Sequence, residues 1–366
     1  MEFIKGGVCA AKGFKAGGIH CGIRKNRTKR DLALIVSEKK AAAAAVYTTN
    51  LVKGAPLTVT KAHISDGYAQ AVICNSGNAN TCNANGIEIA QQMCGLVSSY
   101  CNIDKADVVV ASTGVIGQQL SIEPFKNGMK ALTESLSYTG NTDAAEAIMT
   151  TDTVRKEYAV SFTAGGRECR LGGMAKGSGM IHPNMATLLV FLTTDAAISP
   201  EMLRKALRED VADTFNMISV DGDTSTNDMA VILANGLAGN DEITCEGEDY
   251  TAFAEALNIV TTALCKMLAK DGEGATKLLE CRVDGACCNE TAKTVAKSII
   301  KSSLFKSAMF GADANWGRVL CAIGYSGADV DVNKIDVSFS SQKGSIDVCR
   351  EGMGIPFSEE KAKEVL

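Results

Sequence analysis

Histidine is almost missing from this chain: only His20, His63 and His182 occur in 366 residues. A Ser-His-Asp triad would have to draw on one of these three, and none stands in a suggestive context. The same scarcity, with the cysteine pattern, excludes a zinc site of ordinary spacing. The chain has 14 cysteines but no C-x-x-C, and its nearest pair, Cys287-Cys288, is adjacent and poorly placed to chelate one ion. Aromatic residues make up only 5% and the formal charge is −5, which argues against a base-stacking or phosphate-binding surface, so no nucleic-acid partner is expected. Neither G-x-x-x-x-G-K-[ST] nor G-x-S-x-G occurs. Apolar runs such as Ala41 to Val46 and Leu188 to Leu192 are far short of a membrane span. Met1 to Gly6 has no apolar h-region, so no signal peptide is expected. The cysteines lie in apolar stretches, for example Cys94, Cys265 and Cys321, and read as buried free thiols of a reducing, cytoplasmic compartment.

What the chain does contain is an alternation of strand and helix patterns. With 46% hydrophobic and 22% charged residues it has the composition of a packed globular protein. Ala71 to Cys74, Val108 to Ala111 and Thr187 to Leu192 predict buried strands. Ile87, Ala90, Cys94 and Val97 recur at helical spacing, as do Ile122, Phe125, Met129, Leu132 and Leu136. Tyr158 to Phe162 and Cys169 to Leu171 flank Ala164-Gly165-Gly166, a hairpin signal. Phe253, Leu257, Val260, Leu264 and Leu268 predict a long amphipathic helix ended by Asp271-Gly272. Lys277 to Val283 and Val337 to Phe339 predict strands, and Val295, Ile299 and Leu304 a helix between them. The fold class is α+β, with sheets covered by helices.

One stretch carries distinctive chemistry. Gly172 to Gly179 is rich in glycine, and Met185-Ala186-Thr187 then leads into the apolar run Leu188-Leu189-Val190. The glycines permit a strained backbone path, Ala186 leaves its carbonyl open, and a strand would hold Thr187 on a rigid edge. Thr187 Oγ can then attack the Ala186 carbonyl to give an ester that water opens. The freed α-amine, with a pKa of about 7.7–8.0, suits a general base. A glycine hairpin before an ordinary core strand has the same outline. Ser112-Thr113-Gly114 ends a predicted strand with a hydroxyl and a glycine, a place for oxyanion donors or for a capping threonine. Lys176, eleven residues before Thr187, is either a solvated lysine or the seat of a substrate carboxylate. Asp221, Asp223 and Ser225 alternate as in a calcium loop, but the glycine and glutamate such a loop needs are missing, and no metal is expected.

Taken together, the segments resemble a known family. Gly172 to Val190, Tyr47-Thr48-Thr49-Asn50 with Ala55-Pro56, Asn75 to Asn80, Ser112 to Gly117, Thr150 to Thr153, Ser219 to Asp228, Asp271 to Lys277 and Gly311 to Arg318 occur in the order found in the ornithine acetyltransferases, also called glutamate N-acetyltransferases. The resemblance implies a layered fold similar to N-terminal-nucleophile hydrolases, self-cleaved between Ala186 and Thr187. Residues 1–186 would be the α chain and 187–366 the β chain, commonly assembled as α2β2. It implies Thr187 as the catalytic nucleophile and Thr113 with Gly114 as the oxyanion pair. It implies Thr153, Lys176, Thr187 and Glu273 as substrate-binding residues. The implied reaction moves acetyl from N2-acetyl-ornithine to glutamate without a cofactor, as a step of arginine biosynthesis. Acetyl-CoA is left open as a second donor.

Two other functions share these features: an N-terminal-nucleophile amidase or aminopeptidase, with water as acceptor, and an unprocessed, non-catalytic member of the fold. Ser358 to Leu366 opens with an N-cap and offers no C-cap glycine or basic last turn. The expectation is an element cut short, ahead of a family segment that supplies an asparagine and a hydroxyl residue to the substrate site.

Overall fold

The structure is a computed structural model and describes residues 1–182 and 188–366. The chain forms two compact units, the first of residues 1–216 and 223–273, the second of residues 217–222 and 274–366. The expected division between Ala186 and Thr187 therefore falls inside the first unit, and both residues lie outside the described ones.

The first unit carries, in order, β1 (Glu2–Phe3), β2 (Phe14–Ile19), β3 (Leu32–Tyr47), α1 (Ala55–His63), β4 (Tyr68–Asn75), α2 (Gly86–Cys101), β5 (Val108–Ser112), α3 (Glu123–Glu134), α4 (Asn141–Ile148), β6 (Lys156–Ala164), β7 (Arg167–Lys176), β8 (Leu189–Thr194), α5 (Pro200–Asp213), β9 (Met229–Ala234) and α6 (Glu248–Lys270). Its strands form one mixed sheet, ordered β1-β6-β7-β8-β9-β3-β4-β5, with β2 also on β3. The pairs β4–β5 and β8–β9 are parallel and the others antiparallel.

β3 organises the sheet. Its first part pairs with β2 and β4, its last part, Ala42 to Tyr47, pairs with β9, and a bulge between Val36 and Ala41 separates the two. The alanine run is thus the second half of a 16-residue strand.

The runs read as buried strands are buried on both faces, because helices cover both. Ala33, Ile35, Val72, Val109, Phe191 and Val231 share a core with Ala144, Ala145 and Ile148 of α4. Leu34, Ile73 and Val110 pack on the opposite side with Met93 and Val97 of α2 and Phe125 and Met129 of α3. The expected α+β class, with helices over a sheet, is what the chain adopts. In α2 the buried face runs through Ile89 and Met93, and Ile87 faces solvent. The β6–β7 turn is the expected hairpin, with Gly165 and Gly166 both at positive φ (55° and 70°). α6 is long and apolar enough to cross a membrane, but Phe253, Leu257, Val260, Leu264 and Leu268 are buried, and Phe253 meets Phe162 of β6 edge-on. It is a core helix.

The second unit holds α7 (Asn289–Lys301), α8 (Ser303–Phe310), α9 (Trp316–Gly324), β10 (Val337–Ser341), β11 (Gly344–Arg350), β12 (Met353–Gly354) and α10 (Glu359–Val365). The three strands form an antiparallel sheet, and Val348 and Phe339 share a core with Ile299, Phe305 and Ile323. Two expectations fail here. Lys277 to Val283 is not a strand: Leu279, Cys281 and Val283 alternate toward the core as a strand's would, but among the described residues no strand pairs with them. Leu304 does not extend α7; it lies in the first turn of α8, which Ser302 caps, and is exposed. The 14 cysteines are free thiols, but the expected burial holds only for Cys74, Cys94, Cys169, Cys265 and Cys349; Cys82, Cys245, Cys287, Cys288 and Cys321 are exposed, because they lie in loops or on outer helix faces.

Close packing of α4 on β2 depends on Gly18, where a Cβ would stand 2.1 Å from the Asp143 carbonyl oxygen. Gly18→Ala is expected to cost about 1–3 kcal/mol in urea unfolding. Gly95→Ala, in α2 with open space around it, is expected to be neutral or to stabilise by about 0.5–1 kcal/mol. Equal effects at the two positions would contradict this packing.

Candidate active site

β5 ends at Ser112, and Thr113 follows it half-buried, its amide donating to the Asn75 carbonyl (2.9 Å). The turn after Thr113 requires glycine. Gly114 has φ +126°, and a Cβ there would stand 2.8 Å from the Asn78 nitrogen. The Asn75 to Asn80 loop that receives it is held internally: Asn75 Oδ1 accepts from the amides of Gly77 and Asn78 (both 3.1 Å), and Asn75 Nδ2 donates to Ser112 Oγ (2.6 Å). Thr113 is therefore not a helix cap, since α3 begins only at Glu123.

β7 ends at Lys176, which is buried, and its ammonium donates to Thr113 Oγ1 at 3.3 Å. The residues that follow anchor the other expected site positions. Gly177 N donates to Asp152 Oδ1 (2.7 Å), and Ser178 Oγ donates to the Asp271 carbonyl (2.8 Å). The Ser178 carbonyl accepts from Glu273 N (3.0 Å), and the exposed Glu273 side chain lies against the open side of Gly179. Thr153 is exposed, but its amide (3.0 Å) and hydroxyl both donate to the Asp271 carboxylate. Thr113 and Glu273 thus meet the run Lys176 to Gly179 directly, Thr153 joins it through Asp271, and Gly114 follows Thr113 in sequence. Thr187 and Ala186 lie outside the described residues. The next residue, Leu188, offers its carbonyl to Met229 N (2.9 Å).

Beneath these positions sits a charge network the sequence reading missed. Lys156 is fully buried and donates to Asp152 Oδ1 and Asp271 Oδ2, both at 2.6 Å. Burial alone would raise the Asp152 carboxyl, but the ammonium groups of Lys176 and Lys156 outweigh it and hold it below the usual carboxylate range. Burial lowers Lys176 below the usual lysine range despite the attraction of Asp152 and Asp228. Asp228 is the opposite case. It is buried, its Oδ2 has no hydrogen-bond partner among the described residues, and desolvation pushes its carboxyl well above the ordinary value. Its neighbours join two parts of the site: Asn227 Nδ2 donates to the Ser112 carbonyl (2.9 Å), and Met229 N to that of Leu188. The polar clusters Thr150 to Thr153, Ser219 to Asp228 and Asp271 to Lys277 held Asp152, Asp228 and Asp271. Nothing marked Lys156, which reads as a surface lysine at a strand start.

Among the described residues no group of three His, Cys, Asp or Glu side chains could hold a metal. His20 and His63 are taken up by the carbonyls of Lys29 (3.0 Å) and Val108 (2.8 Å).

A carboxyl whose folded pKa is raised favours the fold while it is protonated. Asp228 therefore contributes fully below its unfolded value, about 3.9, and that contribution is lost as pH rises through the raised folded value. Asp228→Asn removes the ionisation. Its thermal midpoint should match wild type near pH 4 and exceed it by a few degrees near pH 8; a gap that stays constant or reverses would refute a carboxyl raised by burial.

The ArgJ family profile matches residues 15–366. The "Arginine biosynthesis bifunctional protein ArgJ" of Caldanaerobacter subterraneus subsp. tengcongensis is 49% identical over 367 residues, covering 100% of this chain and 91% of the relative. The "Arginine biosynthesis bifunctional protein ArgJ 1" of Clostridium acetobutylicum is 49% identical over 354 residues, covering 96% and 86%. Among solved structures, the ornithine acetyltransferase of Mycobacterium tuberculosis, complexed with ornithine, aligns with 50% of this chain and 99% of its own, at 34% identity and a TM-score of 0.46. On a profile match reaching from Lys15 to Leu366, together with relatives half identical along the whole chain, this protein belongs to the ArgJ family.

Proposed function

We propose that this enzyme is a cytoplasmic acetyltransferase of arginine biosynthesis that cuts itself between Ala186 and Thr187. It then carries acetyl from N2-acetyl-ornithine to glutamate on the Thr187 hydroxyl. The α-amine released by the cut takes the proton from Thr187 Oγ, which attacks the acetyl carbonyl. Thr113 and Gly114 stabilise the oxyanion. Ornithine leaves with the proton, and the glutamate amine then takes acetyl from the ester. Thr153, Lys176 and Glu273 hold the substrate. No cofactor enters these steps.

The observation that carries this reading is the convergence of Thr113 and Glu273, and of Thr153 through Asp271, on the run Lys176 to Gly179, which leads in sequence to Ala186-Thr187. Family membership supports arginine biosynthesis as its setting. The sheet supports fragments that stay together. β7 precedes the cut and β8 follows it, and the two pair from Leu171↔Thr194 to Lys176↔Leu189. β9, also after the cut, pairs with Ala42 to Tyr47 of β3. A backbone break would leave these ladders and the helices over them intact. The α and β fragments then remain one body, which we take to assemble as α2β2.

Intact mass of the purified protein should show two fragments, 1–186 and 187–366, that co-elute on gel filtration, whereas Thr187→Ala should remain one inactive chain. An uncut but active wild type would sink the mechanism. A ping-pong course also requires labelled ornithine to exchange into N2-acetyl-ornithine with glutamate absent. Exchange that appears only after glutamate is added would rule it out.

A further inference from the structure

We propose that Lys176 is a positioning residue for the reaction: besides any part it plays in holding substrate, its ammonium group turns the Thr113 hydroxyl hydrogen toward the developing oxyanion. This rests on the function proposed above and adds a role for Lys176 that the sequence did not suggest.

A protonated lysine has only donors, and a threonine hydroxyl has one hydrogen and two lone pairs. At 3.3 Å from Lys176 Nζ, Thr113 Oγ1 must therefore accept. Its single hydrogen is left for another acceptor. Lys176 is 8% exposed, whereas Thr113 is half-buried and Gly114 exposed, so the ammonium approaches from the protein side and the open side remains for the reacting carbonyl. A charged donor on the oxygen also polarises the O–H bond and makes it a stronger donor.

The groups around Lys176 fit this task. Asp152, ahead of β6, faces it with a carboxylate already engaged by Lys156 and by the amides of Gly177 and Thr150 (2.9 Å), so it balances charge while its oxygens are occupied. Asp228, ahead of β9, adds a second counter-charge when ionised; Cys74 of β4 and Lys156 of β6 are the other titratable neighbours. Burial also lowers the pH at which Lys176 gives up its proton. The neutral amine has a lone pair and can accept from Thr113, which turns the hydroxyl hydrogen inward. Turnover should then fall on the alkaline side, below the ordinary lysine value of about 10.4.

The test is a double-mutant cycle on the full chain, with thermal unfolding as a check of folding. Lys176→Met should lower kcat by about 10-fold to 10³-fold, the range for loss of an oxyanion donor, and should have little further effect on kcat when Thr113 is already alanine. Lys176→Arg, which stays charged, should move the alkaline fall in kcat to higher pH. A Lys176→Met that raises KM with kcat unchanged, kcat losses that multiply across the cycle, or an alkaline fall unmoved by arginine would overturn the assignment and leave the functional reading standing. A wild type with no acetyl transfer would overturn both.

Discussion

The site depends on one buried ammonium group. Lys156 has no exposed side-chain surface and lies 2.6 Å from two carboxylates, Asp152 just before β6 and Asp271 at the end of α6. Taking those charges out of water is costly, and only good mutual geometry offsets it. Loss of one partner from such a cluster typically costs about 3–5 kcal/mol, because the remaining charge is left buried and alone. This fixes relative positions that the chain would otherwise leave loose. Asp152 receives the Gly177 amide, while Asp271 receives Thr153 and, through its carbonyl, Ser178. The backbone after β7 is thereby set in place by residues 25 and 93 positions away in sequence.

Strand ends then supply the functional groups. Thr113 follows β5, Lys176 ends β7, and Asp228 precedes β9. Each stands where a strand buried on both faces gives way to a loop, so its backbone is rigid while its side chain can meet another element. Small residues make the approaches close: Gly114 fits against the Gly77–Asn78 backbone, and Gly179 against Glu273.

Much of this was legible in the sequence because burial writes a simple pattern. Continuous apolar runs marked β4, β5 and β8, helical spacing marked α3 and α6, and Gly165-Gly166 marked a turn needing two positive φ angles. β3 was not legible over its full length. Its charged stretch Glu38-Lys39-Lys40 interrupts the pattern, and alanine is a poor strand former, so its strand character comes from the partners on either side. Lys277 to Val283 shows the converse, a strand pattern with no partner to pair it. In the site, Thr113, Gly114 and Lys176 stood out locally, whereas Thr153 and Glu273 came from family resemblance. The contact between Thr113 and Lys176 spans 63 positions, and the bond from Lys156 to Asp271 spans 115. No local pattern encodes such pairings, which is why Lys156 passed unnoticed.

In the proposed mechanism Thr187 serves as both new chain end and acyl carrier. Asp152 and Asp271 hold the backbone after β7, Lys176 meets the Thr113 hydroxyl, and the proposed mechanism gives the base role to the new α-amine. The most direct measurement is fragment mass spectrometry of enzyme quenched with N2-acetyl-ornithine and no acceptor. One acetyl group on residue 187, as an ester lost to hydroxylamine, is the predicted result. Acetyl on any other side chain, or none on the enzyme while transfer proceeds, would contradict the account.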